Sequence, residues 1–267
     1  VTDVRRSQQA PLGLVVPAVL AGAFVLLPLV GLLQRAPWGQ MWALLGTPTV
    51  REALRLSLVT SIAATIIASA LGIPLAWVLA RVEFPGKRVA RGLVTLPMVL
   101  PPVVGGAALL LALGRRGLVG QWLDQWFGIV LPFSTAGVVV AETFVAMPFL
   151  VVTVEAALRS SDRRYEDAAA SLGARPWTVF RRVTLPMIRP ALVAGAVLCW
   201  ARALGEFGAT ITFAGNLAGR TQTMPLAVFV AREGDRGAAV ALSLVMVAIS
   251  LAVLIGLRDR WLATGEP

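Results

Sequence analysis

Two polar stretches interrupt an otherwise apolar chain, and they hold the residues whose types and spacing could do chemistry. One carries Arg202, Gly205, Glu206, Gly208, Thr210, Thr212 and Asn216, followed by Arg220, Thr221 and Thr223. Arg202 and Glu206 are four residues apart, so on a helix they can neutralise each other. An unpaired charge in a membrane helix costs about 2.5–3.5 kcal/mol. The pair is therefore either a substrate-lining or gating element or a structural ion pair at a tight helix contact. Gly205 and Gly208 permit close helix approach or a local break. The hydroxyls, the amide and Arg220 are donors without competing acids, which suits an oxyanion; an ordinary polar loop has the same make-up.

The other stretch, 160–190, offers docking chemistry. Ala168, Ala169 and Leu172 fall on one helical face, and small residues there let a partner backbone approach. Glu166 and Asp167 place negative charge beside it. A solvated basic loop accounts for the seven arginines from Arg159 to Arg189 but not for Trp177 and Phe180, both expected to be exposed. A docked helix-turn-helix accounts for both. Asp162 is expected to cap a short helix that ends at Gly173, a residue suited to a left-handed terminus. Pro176 suits the first turn of a second helix, and Pro186 and Pro190 suit the start of the next apolar segment.

Much other chemistry is excluded. The chain has no histidine, which removes His-dependent triads, His-based zinc sites and His proton relays. No Gly-x-x-x-x-Gly-Lys-Ser/Thr loop is present; Pro85-Gly86-Lys87 lacks the pattern. Cys199 is the single cysteine, so no internal disulfide can form. No catalytic, metal-binding or cofactor-binding residue is expected, and any ATP and Mg would have to sit on a partner chain.

The elements that must position these residues are membrane helices. Hydrophobic residues make up 57% of the 267 and charged ones 14%, against about 25% charged in a soluble domain. Six stretches reach the roughly 20 apolar residues a spanning helix needs, about 12–33, 53–80, 92–113, 136–158, 190–213 and 238–257. The expected fold is all-α and polytopic. The first run follows Arg5-Arg6 and exceeds a signal-peptide core, so it is expected to be a retained helix. Net charge is +10, but the basic residues lie between apolar runs, which points to topology and anionic lipid rather than nucleic acid.

Fifteen Lys and Arg fall in one alternating set of connecting segments and eight in the other. The positive-inside rule puts the first set, with both termini and 160–190, in the cytoplasm. Leu96-Pro97-Met98 and Leu185-Pro186-Met187 echo each other, each expected to open a span; transporters contain such repeats, and chance also produces matches this short. Glu142 and Glu155, toward the ends of the fourth run, are expected at the membrane interface.

Asp167-Ala168-Ala169, Gly173, Val183 and Leu185-Pro186 together resemble the EAA signature of bacterial ABC-importer permeases, with Asp in place of the first Glu. The resemblance implies the ABC importer permease fold, with a cytoplasmic coupling helix between helices 4 and 5. It implies ATPase-coupling roles for Glu166, Asp167, Ala168, Ala169, Leu172, Gly173, Trp177, Val183, Leu185 and Pro186. The run Arg202-Ala203-Leu204-Gly205-Glu206-Phe207-Gly208-Ala209-Thr210, then Phe213-Ala214-Gly215-Asn216 and Arg220-Thr221-Gln222-Thr223, looks like the molybdate permeases and, less closely, the sulfate/thiosulfate permeases. Leu96-Pro97 through Gly105-Gly106 and Ala141-Glu142 through Met147-Pro148 fit the same group.

The likeness spans about 50–257. It implies a layout of cytoplasmic N-terminus (1–11), first helix (12–33), permease core (50–257) and cytoplasmic C-terminus (258–267). The implied function is translocation of molybdate, with tungstate its near equivalent, across the inner membrane. The implied partners are a second copy of the chain, two ABC ATPase subunits carrying ATP and Mg, an extracytoplasmic oxyanion-binding protein, and lipid. A sulfate or thiosulfate permease is the alternative in the same class. An ion-coupled secondary transporter would need acids or His within spans, and an intramembrane Ser-His enzyme would need a histidine.

Overall fold

The computed structural model describes residues 12–262. Residues 1–11 and 263–267, for which a cytoplasmic location is expected, lie outside the described residues, as do Arg5 and Arg6. Among the described residues every regular element is a helix. In chain order these are α1 (Leu12–Gln34), α2 (Met41–Leu45), α3 (Pro48–Arg81), α4 (Lys87–Val99), α5 (Pro102–Leu113), α6 (Gly120–Phe127) and α7 (Thr135–Ser160). Then come α8 (Arg164–Ser171), α9 (Pro176–Val179), a π-helical turn (Phe180–Thr184), α10 (Leu185–Met187), α11 (Arg189–Leu204), α12 (Gly208–Phe213), α13 (Met224–Gly234) and α14 (Arg236–Leu262).

Four of these, α1, α3, α7 and α14, are long and apolar enough to cross a membrane singly. Two bent pairs supply the remaining apolar length, α4 with α5 at 119° and the Pro176–Met187 segment with α11 at 75°. The expected straight span over 92–113 is thus corrected. Leu100 and Pro101 are extended, and consecutive prolines prevent the helix from continuing. The expected span 190–213 likewise stops at Leu204, and 208–213 forms α12. Both Leu-Pro-Met triplets close a short helix before a bend rather than open a span.

The core follows from small residues at helical spacing. Along α3, Ala53, Ser57, Ser61, Ala64, Ala68, Gly72 and Ala76 are buried, about one per turn on one face. That face packs on α7, and α11 lies against both. Where lipid tails are as apolar as the side chains, helices are held by close contact, and small residues allow it. Leu150, Val151, Val154 and Leu158 of α7 fill the other side of the seam. Ser134 caps α7 by accepting from the Gly137 amide at 3.0 Å.

α5 and α12 meet more closely still. A Cβ on Gly106 would fall 2.7 Å from Thr212 Cβ, and one on Gly208 would fall 2.8 Å from Pro102 Cβ. Beyond the end of α3, Lys87 Nζ donates to Glu83 Oε1 at 2.7 Å, which holds the exposed Glu83 carboxyl below its ordinary 4.5.

Candidate functional site

The connector between α7 and α11 is a built element, not a tether. The expected Asp162 cap is corrected by one residue: the N-cap of α8 is Arg163, which has no side-chain cap, and the Asp162 carboxylate accepts from the Arg164 amide at 3.0 Å in the turn just before it. Gly173, at φ +84, ends it. The amides of Gly173 and Ala174 there donate to the carbonyls of Ala170 and Ala169, which closes the last turn. Pro176 then opens α9, and the π-helical turn carries the chain to α10.

One acid roots this element. Glu166 Oε1 accepts from Arg81 Nη2 at 2.9 Å and from Thr184 Oγ1 at 3.0 Å. Arg81 Nη2 also donates to Ser161 Oγ at 2.9 Å. The end of α3, the start of the connector and the π-helical turn therefore meet at a single carboxylate. Both charged side chains are largely enclosed, so removing one partner costs on the order of 3 kcal/mol. Phe180 adds an aromatic root, with its ring 6.3 Å from Trp77 in an edge-on arrangement. The expectation that Phe180 is exposed is corrected to half-buried.

The opposite face is bare. Asp167 and Ala168 are exposed, Ala169 is half-buried, Leu172 is 89% exposed and Trp177 is 70% exposed. Trp177 leans on Phe180 at 5.6 Å between ring centres. It also walls an apolar groove of about 270 Å³ with Pro74, Trp77 and Pro176. Val183 and Leu185 are half-buried and Pro186 is exposed. Arg81, Thr184 and Trp77 are absent from the sequence-based site. Arg81 and Trp77 close an apolar run, which by itself marks only a membrane boundary.

The second polar stretch behaves differently. Arg202 Nη2 lies 2.6 Å from Glu206 Oε2, close enough for an ion pair, although off the axis of a good hydrogen bond. The other carboxylate oxygen accepts from the Ala209 amide at 2.7 Å. Glu206, 1% exposed, therefore sits in the break after α11 and ties it to the first turn of α12, whose N-cap is Phe207. Gly205 is exposed at the break, and Gly208 is buried on Pro102. Thr212 Oγ1 donates back to the Gly208 carbonyl at 2.8 Å. Thr210 is buried with its hydroxyl unpartnered, and Asn216 is half-buried with Oδ1 unpartnered. Thr221 Oγ1 accepts from the Leu217 amide at 2.8 Å and so closes the following loop.

Glu142, expected at the membrane interface, is buried within the protein. It lies two turns inside α7, 1% exposed, where Thr60 Oγ1 of α3 donates to Oε1 at 2.9 Å, and Oε2 has no partner. Its partner is far away in sequence, so no local pattern reveals it. Glu155 sits near the other end of α7, where Arg91 of α4 reaches it at 2.6 Å. Among the described residues no cluster of His, Cys, Asp and Glu could hold a metal.

Comparison with known proteins adds to this geometry. Residues 72–261 match the family described as "Binding-protein-dependent transport system inner membrane component". The chain is 50% identical over 244 residues to the molybdenum transport system permease protein ModB of Mycobacterium tuberculosis, covering 91% of this chain and 92% of that one. It is 43% identical over 212 residues to the ModB protein of Escherichia coli, covering 79% and 93%. The sulfate transport system permease protein CysT of Escherichia coli is 39% identical over 238 residues, covering 88% and 86%. Among solved structures, a bacterial ABC transporter that imports the acidic polysaccharide alginate superposes with a TM-score of 0.77 at 18% identity, covering 95% of each chain. The MetNI methionine ABC transporter superposes with a TM-score of 0.59 at 18% identity, covering 85% of this chain and 99% of that one. Similarity at that identity speaks to the fold alone.

Proposed function

The chain belongs to the family of binding-protein-dependent transport system inner membrane components, and on that premise we propose that it is the membrane subunit of an ATP-driven importer of molybdate. The observation that carries the cargo is the identity of 50% with a molybdenum permease over nearly the whole of both chains, against 39% with a sulfate permease. Sulfate or thiosulfate import is the second reading, supported by that 39%.

The chain itself does no hydrolysis. The connector 160–190 is the docking element for a cytoplasmic ABC ATPase, and Asp167, Ala168, Leu172 and Trp177 form the contact face. Support comes from exposed apolar side chains on a rooted, capped helix, a combination that solvent disfavours and a partner groove would bury. The Glu166–Arg81 pair makes the element a stiff lever, so that force on the docked face reaches α3. A second copy of the chain completes the pathway, two ATPases power it, and an extracytoplasmic oxyanion-binding protein delivers the anion. Both termini and the connector face the cytoplasm, in line with the distribution of arginine. Arg202 and Glu206 stabilise the helix break beside that path; Gly205, Gly208, Thr210, Thr212 and Asn216 belong to the same wall.

The test is ATP hydrolysis by the complex reconstituted in vesicles, with the binding protein presented empty or loaded with molybdate, tungstate or sulfate. Molybdate and tungstate forms are expected to stimulate hydrolysis and the sulfate form is not. Stimulation by the sulfate form alone would reassign the cargo.

A further inference from the structure

At the end of α3 remote from the connector, three arginines from three elements converge on one cavity of about 430 Å³. Arg35 follows α1, Arg232 lies in the last turn of α13, and Arg236 is the first residue of α14. Val228 and Val240 give the cavity apolar walls, and Ser243 adds a hydroxyl. The 34 residues of α3 put about 50 Å of helix between this place and the connector. The neighbouring core cluster joins Val50 and Ala53, at the start of α3, to Ala227 and Leu242.

None of the three guanidiniums takes part in an ion pair among the described residues, although six other basic side chains do. Two acids close in sequence, Asp235 and Glu233, offset part of this charge without forming an ion pair with any of the three. Asp235 is committed to the start of α14, where Oδ1 accepts from the Ala238 amide at 3.0 Å. Glu233 is exposed and makes no ion pair. All three arginines are exposed, so solvent screens much of their mutual repulsion, and a bound anion would relieve the rest. Guanidinium groups are suited to phosphate oxygens, which they can grip in pairs.

The surroundings say which anion. α1 is exposed to its surroundings along its length, and the helix it packs on is α14. Pro37 lies against Gly237, so the exit of α1 forms one rim of the cavity. Below that rim Leu26, Val30 and Leu33 present bare apolar surface. Basic side chains at the ends of spans, above bare apolar helix surface, match a phospholipid: headgroup above, chains below. We infer that this cavity holds the phosphodiester headgroup of an anionic phospholipid, which fastens α1 to the α13–α14 turn.

The experiment uses the intact transporter in nanodiscs of phosphatidylcholine with or without phosphatidylglycerol, with retained lipid counted by native mass spectrometry. Wild type is expected to retain phosphatidylglycerol over phosphatidylcholine by on the order of 100-fold, at roughly fivefold per arginine. The triple variant Arg35→Gln, Arg232→Gln, Arg236→Gln is expected to lose that preference. Each single variant is expected to lose roughly fivefold, which keeps the test readable if the triple variant does not assemble. Equal retention of both lipids by wild type, or unchanged retention in all three single variants, overturns the inference. Two control arms separate other occupants. Displacement of phosphatidylglycerol by millimolar inorganic phosphate or molybdate would make the site one for a free oxyanion. Loss of binding-protein affinity in the variants, with lipid retention unchanged, would make it a contact for an acidic protein surface. Either outcome overturns the lipid assignment.

Discussion

The connector after α7 and the break after α11 are both polar interruptions in an apolar chain, and they dispose of their charges in opposite ways. In the connector one acid, Glu166, is spent inward on Arg81 and Thr184, while its neighbour Asp167 stays in the open beside Leu172 and Trp177. At the break the acid is spent entirely within the chain, on Arg202 and the Ala209 amide, in a setting with 1% exposure. A surface made to receive another protein leaves apolar area uncovered on a rigid support. A polar group that only has to survive among membrane helices satisfies itself. On the proposed docking role, adjacent residues 166 and 167 divide those two tasks within one turn.

The sharpest way to break this contrast is to spoil the open face without touching the root. Ala169→Arg adds bulk beside that face, and Gly173→Asp places a side chain at φ +84, where the left-handed turn favours glycine. Both variants are expected to insert and fold, and both to lose co-purification with the ATPase subunit, a drop of 100-fold or more on the scale of about 3 kcal/mol for an interface hot spot. Normal assembly of both would remove the docking role from the connector.

A smaller effect separates the partners at the break. Arg202→Ala strands a buried carboxylate and is expected to cost about 3 kcal/mol of stability. Glu206→Gln keeps an oxygen for the Ala209 amide and leaves only the partly exposed Arg202 without its partner, so about 1 kcal/mol is expected. Each single change should impair transport more than the double change does, because the double change removes both members of the pair. Chemical unfolding of the purified chain and uptake by vesicles read these two quantities. Wild-type behaviour in both single variants would leave the pair without a role.

Much of this arrangement is legible in the sequence, for local reasons. The Asp162 turn ahead of α8, the Gly173 stop and the Pro176 restart of the connector are one-turn effects, and so is the four-residue spacing of Arg202 and Glu206. The long spans are visible because apolar length alone defines them. The 119° bend between α4 and α5 escapes a hydropathy reading because the run stays apolar through it, although Pro101-Pro102 marks the place. The burial of Glu142 and the rooting of Glu166 depend on Thr60 and Arg81, which lie some 80 residues away in the chain. Only the α3–α7 seam brings them together. For the same reason Trp77 and Phe180 read as unrelated aromatics until α3 is placed beside the connector.

The most direct test of the contrast is a titration of purified ATPase subunit onto the detergent-solubilised permease, wild type against Leu172→Glu/Trp177→Glu, with the thermal midpoint of each permease measured alongside. The predicted result is a rise in Kd of at least 100-fold, from the loss of two central apolar contacts, with the midpoint lowered only slightly, since Leu172 is 89% exposed and Trp177, although its ring lies on Phe180, is 70% exposed. Equal affinity in the two proteins would contradict the account.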